Sequence, residues 1–220
     1  MIYVMSDIHG HERRFCSVLK QIDLQPEDTL YILGDVIDRN PHGIRILRKI
    51  MKTPNIKMLL GNHEHMMLDT FWSGNDYDAR RLWTRNGGGE TYRTMVYRIP
   101  TEERLRILRF IQQSPSFLEI EVNGREYHIC HGMPSHDLIT RLWDRPEPPP
   151  TEPPIPGKTC IVGHTATIWL YELEEEYDPK TPLKIWCGPG LIDVDCGCGS
   201  GHELRRLACL RLEDLEEFYT

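Results

Sequence analysis

Nothing in these 220 residues approaches the ~20-residue apolar run that a membrane-spanning helix requires. The opening MIYVMSD has no basic region and no cleavage-site pattern, so no signal peptide is expected. Basic charge is short as well. Lys and Arg number 26 against 33 Asp and Glu, and a net charge of −7 argues against a broad nucleic-acid-binding surface. The seven cysteines are odd in number and scattered, which makes no disulfide framework and fits reduced thiols in a cytoplasm. No internal repeat is present. With 40% hydrophobic and 27% charged residues there is enough apolar material for a core, and a single domain over residues 1–220 is expected.

What the chain does have is a regular alternation. Ile2 to Met5 reads as a short buried strand, and Phe15, Val18, Leu19 and Ile22 then recur at helical spacing. Thr29 to Leu33 reads as a second strand. Ile44, Ile46, Leu47, Ile50 and Met51 mark a second helix, and Ile56 to Leu60 a third strand. That order is a doubly wound α/β beginning with parallel strands. Residues 102–113 read as helical, with further strands expected at 117–122, 126–130, 159–162, 183–187, 191–194 and 204–211. The sum is an α/β chain with helices on two sheets. Residues 146–156, PEPPPTEPPIP, contain seven prolines and are expected to be extended and solvent-facing. Residues 172–178, ELEEEYD, read as an acidic solvated turn. Polar clusters lie on both sides of these stretches, so both are read as loops within one domain.

The strands end alike. The first runs into Ser6-Asp7-Ile8-His9-Gly10, the second into Gly34-Asp35-Val36-Ile37-Asp38-Arg39, and the third into Gly61-Asn62-His63-Glu64. Two later strands run into His131-Gly132 and Gly163-His164-Thr165. In an open α/β sheet, ligands bind beyond the carboxyl ends of the strands, so these segments are expected to share one crevice. Mixed Asp, His and Asn donors suit manganese, iron or zinc better than calcium. A two-metal hydrolytic site is the matching chemistry.

In that order, SDIHG, GDVIDRN, GNHE, HGM and GHT resemble the phosphoprotein phosphatase family of metallophosphoesterases, which share a calcineurin-like fold: a two-sheet β-sandwich flanked by helices. The length, and LWTRNGGGE at 82–90, look most like the small bacterial and lambda-phage-type serine/threonine phosphatases. The resemblance implies that Asp7 and His9 hold one metal ion, that Asp35 bridges two, and that Asn62, His131 and His164 hold the second. It makes Arg39, Arg145 and Asn62 the phosphate-binding residues. His63 becomes the acid that protonates the leaving oxygen, and Asp38 its orienting partner. It implies cleavage of phosphoserine, phosphothreonine or phosphotyrosine in one step by a metal-bound hydroxide, with two divalent ions, Mn²⁺ first and Fe or Zn as fitting alternatives. Partners would be a phosphorylated protein or a small phosphomonoester, with no nucleic acid and no membrane. Three positions depart from the pattern: Asn40 after Arg39, Leu60 where relatives often carry an Arg, and Met133 after His131-Gly132.

Other signals fall away on inspection. GKT at 157–159 lacks the first Gly of a phosphate loop, which would be Glu152, and the prolines before it lack amide donors. Cys196-x-Cys198 beside His202 has no second Cys pair at finger spacing and reads as a glycine-rich hairpin. Among rival functions, diadenosine polyphosphate hydrolases of related fold usually lack the Asp found here at 38 and read GNHD. Cyclic nucleotide phosphodiesterases carry GHxH, where this chain has Ala166. A non-catalytic scaffold using the proline loop is the alternative outside enzymes.

Overall fold

The computed structural model describes residues 1–74, 76–146, 151–172, 178 and 180–220. Two five-stranded sheets pack face to face. The first comprises β1 (Ile2–Met5), β2 (Thr29–Ile32), β3 (Ile56–Met58), β9 (Ala208–Arg211) and β10 (Glu217–Tyr219), in the order β10-β9-β1-β2-β3. The second comprises β4 (Phe117–Val122), β5 (Arg125–Cys130), β6 (Thr159–Val162), β7 (Trp186–Gly188) and β8 (Leu191–Asp193), in the order β4-β5-β6-β8-β7. Strands β1, β2 and β3 are mutually parallel, as are β5, β6 and β8. This is the expected two-sheet sandwich with helices outside it.

The period-two alternation of each strand makes the layers. Val4, Tyr31 and Leu33 from the first sheet meet Tyr127, Ile129, Ile161 and Ile192 from the second, forming the inter-sheet core. On the outer face of the first sheet, Met5, Leu30 and Ile32 pack under α1 (Glu12–Gln21), α2 (Gly43–Ile50), α3 (Asn62–Trp72) and α6 (Thr101–Gln112). On the outer face of the second sheet, Cys130, Cys160 and Val162 lie under Leu170 of α8 (Ile168–Tyr171). Between α3 and α6 run α4 (Tyr77–Trp83), wide helical turns at Thr84–Gly88 and Thr94–Arg98, and α5 (Gly89–Arg93); α7 is Leu138–Trp143.

The chain differs from the sequence reading in several places. The polar tetrad that begins at Asn62 is the first turn of α3, and Asn62, His63, Glu64, Met66, Met67, Leu68 and Thr70 are all buried. A helix covered on nearly every side leaves no single apolar stripe to read. Strand β7 starts at Trp186, not 183, because Leu183 N–H donates to Leu204 O and Ile185 N–H to the Tyr219 hydroxyl, neither of them a ladder partner. Strand β9 starts at Ala208, not 204, and β10 was not anticipated. Cys196–Cys198 lie in a loop joined by one parallel bridge, Gly197 to Arg206, and not in a hairpin. Both thiols are buried, and His202 Nδ1 accepts from Leu204 N–H. The described part of the proline stretch is largely solvent-facing, as expected at Thr151, Glu152, Pro153 and Pro156, but it is not uniformly extended: Pro146 is buried, the chain bends over 151–156, and Ile155 packs on the outer cluster of the second sheet. Residues 147–150, and 173–177 of the acidic turn, lie outside the described residues.

Candidate metal centre

The carboxyl ends of β1, β2, β3, β5 and β6 converge, and backbone bonds tie their loops together. His9 N–H donates to Asp35 O (2.9 Å), Gly10 N–H to Val36 O (2.8 Å) and Gly163 N–H to His131 O (2.8 Å). The turns are tight enough to force unusual backbone. Asp7, His9, Asp35, Asp38, Arg39 and His164 account for six of the nine non-glycine residues with positive φ among those described. Each such residue costs of order 1–3 kcal/mol, and their concentration here marks a site held by its surroundings. Close approach matters too: a Cβ on Gly61 would lie 2.3 Å from Asp35 Oδ1, so only glycine lets β3 end against that carboxylate.

Asp35 is the centre. Its Oδ2 lies 3.4 Å from His9 Nε2 and its Oδ1 lies 3.4 Å from His131 Nε2. Asp7 Oδ1 lies 3.5 Å from the same His9 nitrogen, and Asp7 Oδ2 is held by Ser6 Oγ (2.5 Å) and by the His164 amide (2.9 Å). Three histidines share one arrangement. His9 Nδ1 donates to Ile37 O (3.0 Å), His131 Nδ1 to Leu33 O (2.7 Å) and His164 Nε2 to Trp143 O (3.1 Å). In each, a backbone carbonyl fixes the tautomer, so the other ring nitrogen presents a lone pair; metal-ligating histidines are oriented in this way.

Several observations test whether these residues fit metal ions. His9 Nε2 is fully buried with no hydrogen-bond partner among the described residues. The Asn62 amide lies 3.0 and 3.1 Å from the two Asp35 oxygens and 2.9 Å from His131 Nε2, within reach of any ion those two residues share. Donor atoms of Asp35, His131 and His164 lie within 4.8 Å of one another, as do those of His9, Asp35 and His63, with Asp35 in both sets. The electrostatics agree. Burial works against charge on His131, but the Asp35 carboxylate beside it overrides this and raises it to about 10. Burial, with His131, lowers His164 to about 4. Burial also pushes the Asp7 carboxyl up, and the neighbouring His9 and His131 imidazoles bring it down to about 2. The floor is a place where positive charge is wanted. The residues fit divalent ions.

His63 is built differently from the other three. Its Nδ1 bonds the Asp38 carboxylate at 2.7 Å, and its Nε2 faces Arg39 Nη2 at 3.3 Å and Asp35 Oδ2 at 3.7 Å. Burial opposes its charge, but Asp35 and Asp38 outweigh burial and its pKa is raised. Although His63 Nε2 is near enough to Asp35 to join a ligand set, a ring kept protonated by Asp35 and Asp38 suits proton donation better. Arg39 and Arg145 are both exposed. Arg39 reaches Gly199 O and His63, and Arg145 lies close enough to His164 to lower its pKa. Leu60 is buried in the helix-side core and offers no cation. His65 turns away to pair with Asp69 (3.3 Å).

Sequence reasoning overlooked three supporting groups. Glu64 is fully buried and accepts N–H bonds from Asp35 (2.8 Å), Val36 (2.9 Å) and Ile37 (3.3 Å), so it clamps the loop that carries Asp35 and Asp38. Burial and the Asp35 charge raise it to about 7. Trp83 is fully buried and its Nε1–H donates to Asp38 Oδ2 at 2.6 Å. A Cβ on Gly88 would meet the Trp83 indole at 2.3 Å, which explains the middle glycine of the three that follow the tryptophan. Two further carboxyls, Asp193 and Asp195, are pushed well above the usual range, first by burial and then by Asp195 and Asp7 respectively. Glu64 within GNHE and the tryptophan-to-glycine stretch stood out in the sequence, but the contacts they make did not.

The sequence pattern of the calcineurin-like phosphoesterases matches residues 1–214. Over 154 residues the chain is 32% identical to serine/threonine-protein phosphatase 2 of Salmonella typhimurium, covering 66% of this chain and 67% of that one. Over 132 residues it is 39% identical to a symmetrical bis(5'-nucleosyl)-tetraphosphatase of Acidovorax ebreus, covering 59% of this chain and 43% of that one. The matched region thus spans about two thirds of the first relative's length and under half of the second's. A solved protein serine/threonine phosphatase from Saccharomyces cerevisiae superposes with a TM-score of 0.60 at 14% identity, covering 100% of this chain and 78% of that one.

Proposed function

The chain belongs to the calcineurin-like phosphoesterase family of hydrolases, and within it we propose a metal-dependent phosphomonoesterase that acts on phosphoserine and phosphothreonine, and on phosphotyrosine, in proteins. The observation that carries this reading is the Trp83–Asp38–His63 chain, in which Nε1–H and Nδ1–H both donate to Asp38 Oδ2. A positioned, protonated imidazole is useful where the departing oxygen is a poor leaving group such as an alkoxide. A nucleoside polyphosphate leaves as a stable phosphate anion and needs that proton far less.

Divalent ions held by Asp7, His9, Asp35, Asn62, His131 and His164 supply Lewis acidity toward phosphoryl oxygens and water, and the donor set favours Mn²⁺, with Fe or Zn also suited. Asp35, common to both donor sets, would be shared by the two ions. Arg39 and Arg145 grip the non-bridging oxygens, for which a planar guanidinium is well shaped. Asn62 adds its amide to that grip. His63 gives the proton on Nε2 to the leaving oxygen, while Asp38 keeps Nδ1 protonated and the ring aimed. All seven thiols are free, which supports a cytoplasmic setting. Among the described residues no helix is long and apolar enough to cross a membrane.

The test is a substrate panel run on the parent and on His63→Asn: a phosphoserine peptide, p-nitrophenyl phosphate and diadenosine tetraphosphate, each with added Mn²⁺. The parent should cleave the peptide, and His63→Asn should slow it by roughly 10²–10⁴-fold. Turnover of p-nitrophenyl phosphate, whose leaving group needs no proton, should fall far less. A parent that cleaves only diadenosine tetraphosphate would replace this reading with the polyphosphatase one.

A further inference from the structure

Helix α4 and the turn after it carry Tyr77, Arg80, Arg81, Thr84 and Arg85, which recur at i, i+3, i+4, i+7 and i+8 and so share one face. They line an open groove of about 470 Å³. Arg80 is fixed there: its guanidinium lies 5.9 Å from the Tyr77 ring and 5.7 Å from the Tyr92 ring, and Nη1 reaches the Tyr92 hydroxyl at 3.4 Å. Arg81 and Arg85 are exposed and have no ion-pair or hydrogen-bond partner among the described residues. Asp78, three residues before Arg81, makes no ion pair with it. Like charges at i and i+4 repel each other, and this face keeps such a pair in a chain of net charge −7. An anionic partner relieves that cost.

The opposite side of the same segment is part of the candidate centre. Trp83 holds Asp38, and Gly87 O accepts from Arg39 N–H at 3.2 Å. Arg85 is two residues from Gly87, so their Cα atoms are within about 7.6 Å. Tyr77 lies about 12 Å further along the helix. The groove therefore starts beside the phosphate-binding loop and runs away from it. An extended peptide advances ~3.3 Å per residue, so the groove lies roughly three to six residues from a phosphorylated side chain in the centre. Small-molecule sites enclose most of their ligand's surface, and an open helix face does not. The exposed Tyr77 (66%) offers the aromatic contact typical of protein recognition.

We propose that this face of α4 docks an acidic segment of the phosphorylated protein substrate, with Arg81 and Arg85 receiving its carboxylates and Tyr77 its chain. This rests on the phosphoprotein reading above and names the kind of sequence that reading would favour.

The experiment uses the full chain and two phosphoserine peptides alike except for glutamates or glutamines three to six residues from the phosphoserine. The parent should prefer the acidic peptide in kcat/KM by roughly fivefold to tenfold, the worth of two solvent-facing charge pairs. The preference should lie in KM and shrink as salt rises from about 0.02 to about 0.5 M. Arg81→Gln with Arg85→Gln should erase it, and the Lys pair at these positions should restore most of it, with p-nitrophenyl phosphate turnover confirming an assembled centre. If both peptides are cleaved with equal kcat/KM, or the Gln pair keeps the preference, the docking proposal is overturned and the phosphatase reading stands. If neither peptide is cleaved while diadenosine tetraphosphate is, the phosphatase reading itself has failed and the proposal with it.

Discussion

The floor of the candidate centre and its rim are built on different principles. On the floor, Asp7, His9, Asp35, Asn62 and His131 are each at most 2% exposed, and every imidazole is pinned by a backbone carbonyl. At the rim, Arg39 and Arg145 stand in solvent, and no hydrogen bond holds Arg145 among the described residues. A floor atom is placed by the whole fold, while a rim atom is placed by its own loop. Pre-organisation belongs to the first, and adaptable grip on different phosphoesters to the second. The curated relatives carry two different substrate names over one fold family, as expected if the rim sets the substrate.

The largest effect should come from breaking the floor at its centre. Asp35→Asn keeps the shape but removes the charge that both donor sets share. Metal affinity should fall by well over the roughly 10–100-fold that losing an outer partner costs. Elemental analysis after reconstitution should find both equivalents gone and hydrolysis gone with them. A variant that keeps its full metal content would show that Asp35 bridges nothing.

Replacing the rim should cost less and separate its two members. Arg145→Ala should raise KM and the phosphate inhibition constant roughly tenfold, the value of one charged hydrogen bond, with metals and kcat retained. Arg39→Ala should do the same and also lower kcat, because Arg39 alone touches His63 (3.3 Å). Identical profiles for the two variants would dissolve that distinction, and an unchanged phosphate inhibition in Arg145→Ala would remove it from the rim.

How much could be read beforehand follows the same division. The floor was legible because each candidate ligand sits in a short strand-to-loop segment, and Gly10, Gly34, Gly61, Gly132 and Gly163 mark those segments in the sequence. The parallel strands β1 to β3 and their crossover helices were legible from periodicity. Helix α3 was not, since burial on nearly all sides erases its stripe. Nor were the contacts of the clamps, because Glu64 accepts from Asp35, Val36 and Ile37 across 27 to 29 positions and Trp83 donates to Asp38 across 45, and such separations leave no local pattern. Within 183–207 the strands β7 and β8 were expected, but the stretches on either side, 183–185 and 195–207, escaped for a further reason. They are held by isolated long-range bonds, such as Leu183 N–H to Leu204 O and Arg206 N–H to Cys196 O, and those leave no period.

The smallest effect is expected at an ion pair belonging to neither region, and it serves as the control for both. The Met1 ammonium donates to Asp28 Oδ1 at 2.6 Å, joining the starts of β1 and β2. Burial pushes the Asp28 carboxyl up, but the ammonium and the Gln25 N–H outweigh it and leave it below its ordinary 3.8. The hydrogen bond to Asp28 raises the ammonium above its ordinary 8.0. A lowered carboxyl contributes stability that is present above 3.8 and lost as pH falls through its folded pKa. A raised ammonium contributes stability that is present below 8.0 and lost as pH rises through its folded pKa. The pair therefore acts fully between those two values. Met1 is 55% exposed, so solvent screening keeps the contribution within about 0–1 kcal/mol. Asp28→Asn should lower Tm by about 1–3 °C near neutral pH, with the difference closing at both extremes. Metal content and hydrolysis should stay at parent values. An Asp28→Asn chain that lost metal would show that the floor depends on how β1 and β2 begin, and the separation between floor and remainder would have to be redrawn.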